Sequence, residues 1–202
     1  LVVNFTNTST AGVSSSWTFS NGTISGVTNP FPITFTNSSH TVNALFTAKL
    51  VITAGTGCKD SITDTIRVYP KPLASFNVTS PICANTSLTP SNNSIKKAGL
   101  VDYGWKFISP NTTSSISDTA AFEPLLTFPD NQLSIDTSYN IRLRVTSVDA
   151  CVHDTSKQIL VQRRPKALFT LPQPQCGPAS ITANNGTNNV GSNWLWSVIP
   201  TT

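Results

Sequence analysis

The chain has 202 residues, of which 11% are charged, with a net charge of +4 and an ordinary apolar fraction of 38%. That apolar content excludes a disordered chain. Scattered cations exclude the concentrated basic face of a nucleic-acid binder, and the lack of an 18-residue apolar run excludes a membrane-spanning helix. Thr, Ser and Asn replace the missing charge, Glu123 is the only Glu, and Met is absent. Thr favours strands, Ser and Asn favour turns, and straight-chain helix formers are scarce, so the composition predicts an all-β fold.

In chain order, the first expected strand is the run LVVNFTN at the start, followed by Trp17-Thr18-Phe19 and by Thr34-Phe35. Phe46, Ala48, Leu50 and Ile52 then alternate with Thr and Lys, and Ile62, Ile66 and Val68 alternate with polar residues. Such alternation predicts antiparallel strands with one buried and one wet face. Tyr69-Pro70-Lys71-Pro72 is a stiff link, after which Ala74, Phe76 and Val78 resume the alternation. The next strands are Ser87-Leu88-Thr89, Trp105-Lys106-Phe107, Thr127-Phe128, and Tyr139 to Val145. A second link, Arg163-Arg164-Pro165, precedes Ala167 and Phe169, a strand at Ser180-Ile181-Thr182, and a Trp-rich strand through Trp194 and Trp196 to Val198.

This order contains a repeat. GCKDSITDTIRVYPKPLASF, beginning at Gly57, returns 93 residues later as ACVHDTSKQILVQRRPKALF. Cys58 falls on Cys151, Ile66 on Ile159, Val68 on Val161, Pro72 on Pro165 and Phe76 on Phe169, and the register extends to Cys83 and Cys176. Matched cysteines, prolines and aromatics without a gap mark a true internal repeat. Loop lengths differ only upstream of Thr34 and Thr127, as surface insertions do. About seven strands per copy predict a β-sandwich. The expected copies are 1–70, 71–163 and 164–202, the first and last incomplete, so that both ends of the chain read as cut from something longer. Short proline-bearing links would set the copies end to end in a rod. Trp17 and Phe19, Trp105 and Phe107, and Trp196 are the expected core signature.

Trp17-Thr18-Phe19-Ser20-Asn21-Gly22-Thr23 resembles the W-D-F-G-D-G-T signature of PKD (polycystic kidney disease) domains, which are immunoglobulin-like sandwiches. Pro72-Leu73-Ala74-Ser75-Phe76, Gly57-Cys58-Lys59-Asp60 and Cys83 are similar to tandem PKD repeats of large Bacteroidetes surface proteins. Those include gliding-motility adhesins and other cargo of the type 9 secretion system. The resemblance implies tandem immunoglobulin-like, PKD-type antiparallel β-sandwiches and an extracellular, cell-surface location. It also implies a non-catalytic structural or adhesive role in a filament or adhesin. The partners it implies are neighbouring repeats, other copies in a filament, and surface glycans or polysaccharide. The Asp after Trp17 is missing, and Ile108-Ser109-Pro110 stands where the second Gly-Asp-Gly turn belongs. An alternative role is a spacer or carbohydrate- or protein-binding module of a secreted hydrolase.

Catalytic chemistry has no foothold. His40 and His153 occupy different positions of the repeat in polar contexts that read as exposed turns, and nothing nominates a nucleophile and an acid beside either. Asp60 and Asp64 share a strand face but are only two acids, so no cofactor is expected beyond a loop calcium. Cys58, Cys83, Cys151 and Cys176 are disulfide candidates in an oxidising setting. An extended link separates Cys58 from Cys83 by more than disulfide reach. With immunoglobulin-like topology, pairing between neighbouring copies, a bridge from Cys83 to Cys151, and free thiols all remain open. The resemblance to Bacteroidetes surface proteins also implies that lineage's O-glycosylation motif, Asp-Ser/Thr followed by an apolar residue or Thr, which Ser61, Thr65 and Thr119 fit.

Overall fold

The computed structural model describes residues 1–99, 101–108, 114–130, 135–171, 177, 180–187 and 193–198. Among them every regular element is a strand, so the chain is all-β. Cα packing divides it into two compact units. Unit 1 is Leu1–Ser75 with Asn93–Tyr103 and Arg144–Thr155, and unit 2 is Phe76–Asn92 with Gly104–Leu143 and Ser156–Thr202.

Unit 1 contains β1 (Val2–Val3), β2 (Ser14–Phe19), β3 (Ile24–Ser25), β4 (Ile33–Thr34), β5 (Ala44–Thr53) and β6 (Lys59–Val68). One sheet has the order β3-β2-β5-β6 and the other pairs β1 with β4, all antiparallel. Trp17 lies opposite Leu50 and Leu50 opposite Ile62, which fixes one face of three strands toward the second sheet. Trp17, Phe19, Ile33, Phe35, Ala48, Leu50 and Val68 form the buried cluster between the sheets, with Phe5 and Phe46 packed against it. Phe5 meets Phe19 at 4.8 Å between centroids, and Phe35 meets Phe46 at 5.1 Å. This is the core of a β-sandwich.

The remaining strands are β7 (Phe76–Asn77), β8 (Ile82–Cys83), β9 (Ser87–Leu88), β10 (Ser91–Asn92), β11 (Asp102–Phe107), β12 (Ser115–Ile116), β13 (Leu126–Thr127), β14 (Thr137–Thr146), β15 (Val152–Gln162), β16 (Phe169–Thr170) and β17 (Asn184–Asn185). They form sheets of order β11-β14-β15-β8 and β12-β13-β9, with β7 on β10 and β16 on β17. In unit 2, Phe76, Trp105, Leu126, Phe128, Tyr139, Ile141, Leu143, Ile159 and Val161 are buried.

The strand plan is written twice. β4, β5 and β6 begin at 33, 44 and 59, and β13, β14 and β15 at 126, 137 and 152, a constant offset of 93. Ile33 pairs with Val3 as Leu126 pairs with Leu88. The Phe128–Tyr139 ring pair, at 5.1 Å, reproduces Phe35–Phe46. The indole N–H of Trp17 reaches Thr28 O at 3.2 Å, and that of Trp105 reaches Ala121 O at 2.9 Å. The turn before each cysteine is also the same. Ala54 N donates to Cys58 O and Gly57 N to Ala54 O, just as Ser147 N donates to Cys151 O and Ala150 N to Ser147 O. That turn needs a left-handed residue, supplied by Gly57 at φ +86 and by Ala150 at φ +60.

Several sequence expectations are corrected. Ile62 lies on the inner face of β6 yet is 67% exposed, and every residue from Lys59 to Thr65 is exposed, because no described residue packs on that half of the strand. The run at the start is a strand only at Val2–Val3. The strand expected at Ser180-Ile181-Thr182 forms instead at Asn184–Asn185, and residues 193–198 form none. Trp196 is 52% exposed and packed edge-on against Phe169 at 5.6 Å, and among the described residues no strand covers its other face. One pairing is parallel, β8 on β15, with Val161 opposite Ile82.

Candidate functional site

β6 is an edge strand of its sheet. Its long pairing with β5 fixes Ser61 opposite Val51 and Thr65 opposite Thr47, on the face turned away from Trp17. Both hydroxyl residues are exposed. Each preceding carboxylate turns back onto its neighbour's amide: Ser61 N donates to Asp60 Oδ1 at 2.8 Å, and Thr65 N to Asp64 Oδ1 at 2.7 Å. The Asp therefore orders the backbone on which each hydroxyl is presented. Thr119 is exposed in a turn of unit 2, where Ala120 N donates to Asp118 Oδ1 at 2.8 Å and Trp105 N to Thr119 O at 2.8 Å. The second copy does not repeat the β6 motif. Asp154 stands at the register of Ser61, and it takes a two-pronged ion pair from Arg144 at 2.9 and 3.2 Å, which pushes the guanidinium pKa up.

Cys58 and Cys83 are exposed, Cys151 is half-buried, and all three are free thiols. Cys176 lies outside the described residues. Cys151 N donates to Ser147 Oγ at 3.2 Å, and its Sγ lies 3.9 Å from Asp149 O. Among the described residues, no three His, Cys, Asp or Glu side chains gather to hold a metal ion. Burial pushes the Tyr103 phenol up from its ordinary value.

The histidines are not the exposed turn residues the sequence suggests. Both are half-buried, and His153 lies within β15. His40 Nδ1 meets Lys71 O at 2.7 Å, so it carries the proton, because a carbonyl only accepts. His153 Nδ1 accepts from Ala74 N at 2.9 Å, so that nitrogen carries none. Sequence reasoning missed these roles, along with those of Asn37, Asn43 and Lys97. The polar run Asn37-Ser38-Ser39-His40 reads as a generic loop, and the available signal was its position just before a strand of the repeat.

Leu168, Phe169, Asn185, Asn193, Trp194 and Trp196 line an open groove of about 740 Å³.

No protein-family model matches the chain, and no curated protein sequence matches it. Among solved structures it is similar to a nucleoside hydrolase-related hypothetical protein from Saccharophagus degradans associated with carbohydrate metabolism. That match has 14% identity over 48% of this chain and 26% of the other, with a TM-score of 0.36. It is similar to human CDH23 EC21-23, with 12% identity over 72% and 55% and a TM-score of 0.37. It is also similar to Protocadherin Gamma B2 extracellular cadherin domains 3-6, with 10% identity over 94% and 61% and a TM-score of 0.36. The chain thus spans between about a quarter and three fifths of the length of these structures. No described helix is long and apolar enough to cross a membrane, which says nothing about a β-barrel.

Proposed function

We propose that this chain is a non-catalytic segment of a long secreted cell-surface filament or adhesin, built from PKD-type sandwiches stacked as a rod. The carrying observation is the duplicated strand plan, with its 93-residue offset and identical pre-cysteine turns. A fold that repeats its scaffold while leaving its exposed residues unrepeated is suited to length rather than to one active site. The boundaries assigned are 1–70, 71–163 and 164–202. Ser61, Thr65 and Thr119 serve as O-glycan acceptors, and the cysteines pair between neighbouring copies in the oxidised parent protein. The hydroxyl-rich surface suits weak, multivalent contact with glycans or with other copies. The resemblance to gliding-motility and type 9 secretion adhesins supports this reading through Pro72 to Phe76 and Gly57 to Asp60.

Antibodies against the chain test the reading on intact cells that make the parent protein. Surface labelling lost after mild external proteolysis is the expected result, and labelling only after permeabilisation would overturn it. A second reading, a carbohydrate-binding module of a secreted hydrolase, is favoured by the groove carrying the half-exposed Trp194 and Trp196. Quenching of Trp fluorescence by soluble polysaccharide, lost in Trp194→Ala, would support that module instead.

A further inference from the structure

Between Val68 and Ala74 the chain leaves β6 and enters the second copy, and polar contacts of unit 1 close around it. Asn37 Nδ2 donates to Val68 O and to Val42 O, each at 2.9 Å. His40 Nδ1 donates to Lys71 O. Leu73 N and O bond Ile95 O and N at 2.8 and 2.9 Å, and Ala74 N donates to His153 Nδ1. Pro70 is fully buried. Across this sits Lys97, whose Nζ donates to Asn43 Oδ1 at 3.2 Å and to Asp149 Oδ2 at 2.9 Å, with the Tyr69 ring at 5.5 Å. Asn43 precedes β5 of the first copy, whereas Lys97 and Asp149 belong to the second. One ammonium therefore joins residues of both copies inside unit 1.

The next link is held from the same two register positions. At the 93-residue offset, Asp130 stands for Asn37 and Asp136 for Asn43. In unit 2, Asp130 Oδ2 takes Arg164 Nη2 at 2.7 Å, and Asp136 Oδ1 takes Arg163 N at 3.0 Å. The chemistry differs. The first link is held by neutral amides and by an ion pair whose side chains are 28% and 14% exposed, and the second by an ion pair at 44% and 34%. Exposed pairs are screened by salt, and partly buried ones much less.

We propose that each copy grips its own outgoing link through register positions 37/130 and 43/136, and that the grips are graded. The first joint is locked by Lys97, and the second is an ionic joint that salt opens. This does not rest on the surface-filament reading, since a spacer in a secreted enzyme would use the same joints.

Amide hydrogen exchange on the full chain tests the proposal, comparing about 0.05 M with about 1 M salt. The reporting amides are Leu73 and Ala74 for the first link, and Gln162 and Arg163 for the second. Lys97→Met should speed exchange of the first set by about tenfold or more, the factor expected for losing a charged hydrogen bond. The β14 core amides of Ile141 to Leu143 should stay unchanged. Salt, or Asp130→Asn at low salt, should speed the second set alone. Should Lys97→Met fail to fold, Asn43→Ala removes a single acceptor and must still speed the first set. Unchanged exchange in the first set, or an equal response of both sets to salt, would overturn the proposal.

Discussion

Trp105→Ala is the sharpest perturbation of the second sandwich. The indole is 2% exposed, packs edge-on against Phe76 at 5.0 Å, and donates to Ala121 O. Truncating a buried Trp to Ala costs about 3–5 kcal/mol through lost transfer free energy and the cavity left behind. Set against a total of about 5–15 kcal/mol for a domain, that removes from about a fifth to all of the stability. Trp105→Phe keeps the aromatic volume and forfeits the hydrogen bond, leaving Ala121 O unpaired at a cost of about 1–3 kcal/mol. Trp196→Ala, at a site 52% exposed, should cost less than either. Chemical denaturation followed by fluorescence and circular dichroism gives all three values. The reasoning fails if the Phe variant is as unstable as the Ala variant, or if Trp196→Ala matches Trp105→Ala.

Further outcomes follow from the turns, the histidines and the phenol. Ala150→Gly should stabilise the pre-cysteine turn and Gly57→Ala destabilise its counterpart, each by about 1 kcal/mol, since only the left-handed conformation is at stake; thermal melts of the two variants check the opposite signs. Nitrogen NMR shifts should show His40 protonated at Nδ1 and neutral His153 protonated at Nε2, and the same tautomer in both would contradict the linker geometry. Burial raises the Tyr103 pKa above 10.0. The unfolded chain therefore ionises first, and stability that is full below pH 10 falls as pH climbs toward the folded value. Tyr103→Phe should flatten that alkaline decline in urea unfolding measured across the range. Asp154→Asn, breaking an exposed ion pair, should leave the melting temperature unchanged.

The fold was legible where burial drives sequence. Phe46 to Ile52 and Tyr139 to Val145 had to alternate because one face of each strand meets a core, and the shared cysteine turns had to match because one backbone bend serves both copies. Ile62 misled because its apolar side chain says nothing about whether a partner sheet reaches it. The parallel pairing of Ile82 with Val161 was invisible, since a two-residue strand has no periodicity. The grips on the links escaped notice for a different reason: Asn37, Asn43, Lys97 and Asp149 are common surface residues whose meaning lies in convergence, and convergence across 54 residues, as between Asn43 and Lys97, leaves no local pattern. Ser61 and Thr65, by contrast, were singled out from three adjacent residues alone, and both stand exposed on an edge strand, which leaves their expected role as acceptors to experiment.

The central claim is that the repeat itself is the product. The mass of the intact native polypeptide that carries this chain, purified denatured and fully reduced, tests it most directly. A polypeptide of several hundred kilodaltons, with tens of copies of the 93-residue plan, is what the account predicts. A polypeptide below about 100 kDa has room for one catalytic domain and a few sandwiches of ordinary domain size, and would contradict it.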